Sequence, residues 1–127
     1  MCWLSDYKPI KQIASADLEV FKVVIVKNGD IFSPIYRHIW HMGVTCIIEL
    51  DKPEKKLPDV SGANFYWEIN HGFHSFASIE ALKREYKMES SVAFTRAILP
   101  KGTCYYINRF DEVVSDQLKI VDFIENC

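Results

Sequence analysis

Residues His71–Phe76 read His-Gly-Phe-His-Ser-Phe, and a helix pattern opens just beyond them at Ser78. Two imidazoles, a hydroxyl and a glycine in so short a run suit the capture of an anion. A helix start presents unpaired backbone N–H groups and a partial positive charge. Gly72 lets a backbone approach a ligand closely. Ser75 and Ser78 offer hydroxyls, and His71 and His74 add donors or a positive charge. The aromatic Phe73 would lie beside a ring. Lys22, Arg37 and Arg96 are the basic side chains that neighbouring strands could bring, although strand pairing is not readable here. The chemistry implied is the binding of a phosphate-bearing, nucleotide-like small molecule. The plainer alternative is that Ser75 or Ser78 only caps the helix and the aromatics are core, since capping alone explains both serines.

The four histidines form two pairs of equal spacing, His38-x-x-His41 and His71-x-x-His74. Residues three apart share a face in a turn but diverge in a strand. Metal binding needs imidazoles converging on one point, and no acidic residue stands beside either pair, so no metal is expected. Cys2, Cys46, Cys104 and Cys127 lie too far apart in sequence for a thiolate zinc motif. Trp40, Trp67, Tyr105 and Tyr106 either pack the core or stack on a ligand ring. No residue announces itself as catalytic, and no cofactor is expected.

Such residues must be positioned by a fold, and the totals bound what that fold can be. The chain has 127 residues, 49% of them apolar, which suits a single domain over residues 1–127 with a core of its own. A formal charge of −2 lacks the basic excess of a nucleic-acid binder, so no nucleic acid is expected. No apolar run reaches the roughly 18 residues of a membrane span. The opening stretch Met1–Pro9 lacks a signal-peptide plan. A cytoplasmic protein with free thiols is the expectation.

Along the chain, Asp17–Lys27 is dense in β-branched residues and predicts a central strand. Asn28–Asp30 predicts a tight hairpin, because Asn-Gly accepts positive φ. Ile31–Arg37 would be the return strand, at an edge or broken at Pro34. His38–Gly43 turns the chain, and Val44–Leu50 is another strand. Asp51–Gly62, charged and with two prolines, reads as a loop. Ala63–Asn70 alternates as a half-exposed strand. Ser78–Lys87 is the clearest helix, with Ser78 as cap and Ile79, Leu82 and Tyr86 on its packing side. Ser91–Leu99, Cys104–Phe110, Glu112–Ser115 and Leu118–Ile124 complete the strands, with a turn at Pro100–Thr103. A short helical turn is expected near Ser15–Glu19. The sum is an α+β fold: a mostly antiparallel sheet, split or curled, with one main helix at about 78–87.

The segments "GFHSF", "AILPKGTCYYIN" and "VVSDQLKI" resemble a group of small uncharacterised bacterial and phage proteins of the Bacteroides type. That resemblance implies no activity. The order of a strand with a basic residue, a Gly-aromatic-Ser strand leading into a helix, and a strand ending in Pro-x-Gly-Thr is more faintly similar to the ADP-ribosyltransferase fold. The similarity implies a split sheet holding NAD in a cleft, with Phe73–Ser75 in place of the serine-containing strand and Lys22 in place of the first basic motif. The position of that family's catalytic glutamate is held by Thr95 and Arg96, leaving Glu89 or Glu68 as atypical candidates. Three functions follow as expectations. The leading one is a non-enzymatic protein that binds, by sequestration, a nucleotide-like ligand near His71–Ser78. The others are an atypical ADP-ribosyltransferase-like enzyme and an interaction module with a protein partner.

Overall fold

The structure is a computed structural model that describes residues 3–34, 38–56, 65–87 and 89–124. In chain order the strands are β1 (Trp3–Ser5), β2 (Gln12–Ile13), β3 (Leu18–Lys27), β4 (Asp30–Phe32), β5 (Ile39–Trp40), β6 (Thr45–Ile47), β7 (Glu54–Lys56), β8 (Tyr66–Ile69) and β9 (Phe73–Phe76). Helix α1 (Ile79–Glu85) follows, then β10 (Val92–Leu99), β11 (Cys104–Ile107), β12 (Glu112–Ser115) and β13 (Gln117–Phe123). Every pairing among the described residues is antiparallel. The fold is therefore mostly antiparallel sheet, and its helical part among these residues is one seven-residue helix. No helix among the described residues is long and apolar enough to cross a membrane.

The strands form two sheets. A small one has the order β1-β8-β7; the large one runs β2-β11-β12-β9-β3-β10-β13-β6, with β4 and β5 attached beside β3. β3 is the axis. It pairs along eight residues with β10, from Val92↔Ile25 to Leu99↔Leu18, and carries the hairpin to β4 on its far end. Asn28 and Gly29 take φ of 52° and 82° in that hairpin, the positive pair that the Asn-Gly turn requires.

Side chains alternate across β3. Val20 and Val24 join one buried cluster with Trp40, Phe73, Leu99, Leu118 and Ile120. Phe21 and Val23 face the opposite way, where Ala81 and Leu82 of α1 cover them with Phe76 and Phe94. Both ends of the large sheet, through Cys46 on β6 and Tyr105 and Ile107 on β11, pack against the first cluster, so the sheet curls round it. The small sheet is fastened by Trp3 and Ile69, which pack on Tyr106 and Val114.

Several expectations are corrected. His38–Gly43 is not only a turn: Ile39 and Trp40 pair with Phe32 and Ile31. The charged Asp51–Gly62 stretch contains β7, whose Lys55 pairs with Trp67; residues 57–62 lie outside the described residues. No helical turn forms near Ser15–Glu19, because Leu18 and Glu19 already pair with Leu99 and Ile98. The return strand stops at Phe32, before Pro34, and residues 35–37 are outside the described set. Most consequential, Phe73–Phe76 is a strand rather than a corner.

Candidate functional site

β9 pairs with β12 along its whole length, Phe73↔Ser115 through Phe76↔Glu112. On its other side it meets β3 at a single position, Phe21↔Phe76. Beyond that point the two strands part, and residues of both line a cavity of about 280 Å³. Its walls include Val23, Phe73, Phe76, Ile48 and Tyr86, with Lys22, Ser33, His38, His71, His74, Ser75 and Glu112 as the polar members.

Lys22 is the distinctive residue. It lies on the apolar face of β3, between Val20 and Val24, and is only 4% exposed. Its ammonium donates to the carbonyl oxygen of His74 at 2.7 Å. It also lies 5.5 Å from the centroid of the Trp40 ring. Among the described residues no carboxylate pairs with it; the ion pairs seen are Lys56–Glu54, Arg96–Asp122 and Arg109–Asp6. Burial pushes its pKa down from 10.5 to about 8, because a low-dielectric surrounding disfavours the charged form. Lys22 therefore sits in the cavity wall with no carboxylate in direct contact among the described residues.

Two of the imidazoles around it, His74 and His38, are pushed toward the neutral form. Burial, and then the charge of Lys22, pushes His74 down to about 4. His38 is lowered by burial, then by Lys22 and His41. Edge-on rings position His38, which stands 4.6 Å from Trp40 and 5.4 Å from Phe73 between centroids. Trp40 is itself anchored: its indole N–H donates to Ser33 Oγ at 2.6 Å. His38 Nε2 also lies 3.4 Å from Cys46 Sγ. Burial raises the Cys46 thiol while His38 is lowered, so this contact is a neutral hydrogen bond and not a thiolate–imidazolium nucleophile.

Two polar atoms of β9, His74 Nε2 and Ser75 Oγ, are buried with no hydrogen-bond partner. A buried polar atom left unpaired costs about 1–3 kcal/mol. The two lie on successive residues of a strand, so their side chains point to opposite faces of the sheet, Ser75 beside Val113 and His74 beside Val114.

The residues expected from the sequence divide cleanly. Lys22, His71, Gly72, Phe73, His74 and Ser75 all line the cavity. Ser78 does not: its Oγ accepts from Ala81 N at 3.1 Å and caps α1. The backbone groups of β9 face β12 in a ladder, so the free amides expected at a helix start are not there. Arg96 is exposed on β10 and pairs with Asp122 at 3.4 Å. Arg37 lies outside the described residues. Gly72 has a different use from the one expected. A Cβ there would stand 2.5 Å from Val114 Cγ2 and 2.7 Å from Leu50 Cδ1, so its bareness admits protein side chains. Of the aromatics, Trp40 and Tyr106 are buried while Trp67 and Tyr105 are half-buried.

Ser33, His38, Tyr86 and Glu112 were not foreseen in this role. They come from elements far apart in sequence and carry no local signal. Lys22 did carry one, as a lone cation inside a run of β-branched residues. Three imidazoles, His38, His71 and His74, share the cavity wall, but among the described residues no three ligand-type side chains converge on a metal position. Cys46 and Cys104 are free thiols; Cys2 and Cys127 lie outside the described residues.

No family model matches this chain, and neither a curated protein nor a solved structure does. Its function must be read from the cavity itself.

Two outcomes follow from the geometry. Ser78→Ala should cost about 1 kcal/mol of stability, the usual worth of an N-cap, and leave ligand affinity unchanged. Urea unfolding with and without ligand measures both. For His74, the folded chain holds its proton less tightly than the unfolded chain, whose value is near 6.5. Between pH 6.5 and about 4 the unfolded state binds more protons, so stability falls as pH falls through that window. The urea midpoint of His74→Gln should drop less between pH 7 and pH 4.5 than that of the native protein. An equal drop would mean the imidazole titrates normally.

Proposed function

We propose that this protein binds a small organic anion in the cavity between β3 and β9, with the negative group on Lys22. The observation that carries the reading is the buried ammonium of Lys22, with one carbonyl partner and no carboxylate. Removing a charge from water costs several kcal/mol unless it is paired, and a ligand anion would supply the pair. Ser75 Oγ, on the same face of β9 as Phe73, would give up its unpaired state to that guest. The rings of Phe73 and His38 offer a surface for a flat body.

A phosphate-bearing, nucleotide-like ligand is the version of this proposal that also suits the aromatic wall. The single ammonium of Lys22 balances one negative charge. That favours a phosphodiester, as in a cyclic nucleotide, over the double charge of a phosphomonoester. The role is capture rather than turnover. Neither Glu68 nor Glu89 is among the residues lining the cavity. Glu112 is, and its Oε1 already accepts from Asn108 Nδ2 at 3.1 Å.

The test is a thermal-shift and calorimetric comparison of cyclic nucleotides, nucleoside monophosphates and aromatic carboxylates. A true ligand at 100 times its dissociation constant adds about 2.7 kcal/mol to stability. The expected order is singly charged before doubly charged, with binding lost in Lys22→Met. If no organic anion moves the melting point, or if Lys22→Met binds as the native protein does, the reading falls.

A further inference from the structure

We propose that Lys22 is also a nucleophile, and that the cavity accepts a flat, apolar aldehyde which condenses with Nζ to a covalent iminium. This shares the cavity with the binding reading and goes beyond it, because it requires a carbonyl carbon and not an anion.

The wall around Nζ fits an iminium better than an ammonium. An ammonium carries three N–H donors. Here the protein gives it one hydrogen-bond acceptor, the carbonyl of His74 at 2.7 Å, and one aromatic face, that of Trp40. An iminium formed from a lysine has one N–H and spreads its positive charge over the C=N bond. The single carbonyl satisfies that one donor, and the indole face still meets the charge. The new carbon would enter the cavity, whose apolar wall is made by Phe73, Phe76, Val23 and Ile48 beside its polar members. Those apolar side chains give the organic part of the iminium a surface to pack on.

The step balances as follows. The Lys22 ammonium first gives a proton to solvent. The nitrogen lone pair then attacks the carbonyl carbon, and the C–O double-bond pair moves to oxygen, which takes a proton. The nitrogen then releases one of its two protons, and a second proton on the hydroxyl lets it leave as water while the freed lone pair forms the C=N bond. In sum, an aldehyde and the lysine ammonium give an iminium and one water, with no oxidant or reductant. Burial favours the first step. With a pKa of about 8 in place of 10.5, the free-amine fraction at pH 7 is raised by roughly two orders of magnitude over an exposed lysine.

The experiment incubates the full-length folded protein with 2-naphthaldehyde at pH 7. Sodium cyanoborohydride reduces any C=N bond to a stable secondary amine, and peptide mass mapping locates it. The expected result is about tenfold more adduct on Lys22 than on exposed Lys27, Lys83 or Lys101, with the preference lost in denaturant. Lys22→Arg should abolish that adduct while keeping a positive charge for an anion. Labelling of Lys22 equal to or below that of the exposed lysines in the native protein overturns the proposal, and needs no variant to be read. The two readings fail separately. Trapping on Lys22 without any anion-induced shift refutes anion binding alone; an anion-induced shift without trapping refutes the nucleophile alone.

Discussion

Lys22→Met should make the protein more stable by up to about 2 kcal/mol at pH 7 while abolishing ligand binding. Methionine has nearly the length of the lysine stem and suits an apolar strand face. The lowering of Lys22 from 10.5 to about 8 corresponds to roughly 3 kcal/mol of unfavourable burial of the charged form. Against this, the carbonyl of His74 loses its partner, at about 1–3 kcal/mol. The balance is a modest gain, or a melting temperature higher by up to about 8 °C. It depends on pH in a stated direction. Folded Lys22 releases its proton before the unfolded chain does. Between about pH 8 and 10.5 the unfolded state therefore holds more protons, and native stability rises with pH. The advantage of Lys22→Met is complete below pH 8 and fades as pH approaches 10.5. Urea unfolding at pH 7 and pH 10, paired with calorimetry, measures both. A variant less stable than the native protein at pH 7 would show that the Lys22–His74 hydrogen bond outweighs its desolvation, and Lys22 would become a structural residue.

Gly72→Ala carries the largest expected loss, about 3 kcal/mol. The new methyl would lie 2.5 Å from Val114 Cγ2 and 2.7 Å from Leu50 Cδ1, far inside contact distance. Leu50 is the partly buried end of a flexible side chain and can yield. Val114 cannot easily do so: it is fully buried, β-branched, and held on β12 opposite His74. A φ of +156° adds strain for any side chain. The relief is a shift of the chain entering β9, which moves His74 and Ser75 in the cavity wall, so affinity should fall along with stability. Gly43→Ala is the control. Its φ is +74° with nothing within 4 Å of the added carbon, so strain alone acts there, at about 1 kcal/mol. Equal losses at the two glycines would show that the packing at Gly72 relaxes freely.

The two variants isolate different properties of one stretch of wall. Lys22 costs stability and offers charge; Gly72 gives stability and holds shape. Asn108 shows the same division on the far side of the cavity. Its Oδ1 accepts from Phe110 N and Glu112 N, and its Nδ2 donates to Leu4 O and Glu112 Oε1. That network holds the turn into β12 while turning the Glu112 carboxylate toward a protein partner.

The sequence by itself determined the local elements whose causes are local. The β-branched run Leu18–Lys27, the Asn-Gly turn after it, and a serine-capped helix at Ile79–Glu85 all follow from side-chain sterics and capping within a few residues. It also marked Lys22, since a lone charge inside an apolar strand must find a compensating environment wherever the strand goes. Only the tertiary structure decided that Phe73–Phe76 is a paired strand. Its partners are Glu112–Ser115 on one side and Phe21 on the other, and no local pattern in His-Gly-Phe-His-Ser-Phe encodes a ladder to residues so distant. The same holds for the cavity. It exists because β3 and β9 pair once and then part, and that divergence depends on the curl of the whole sheet rather than on any residue in it.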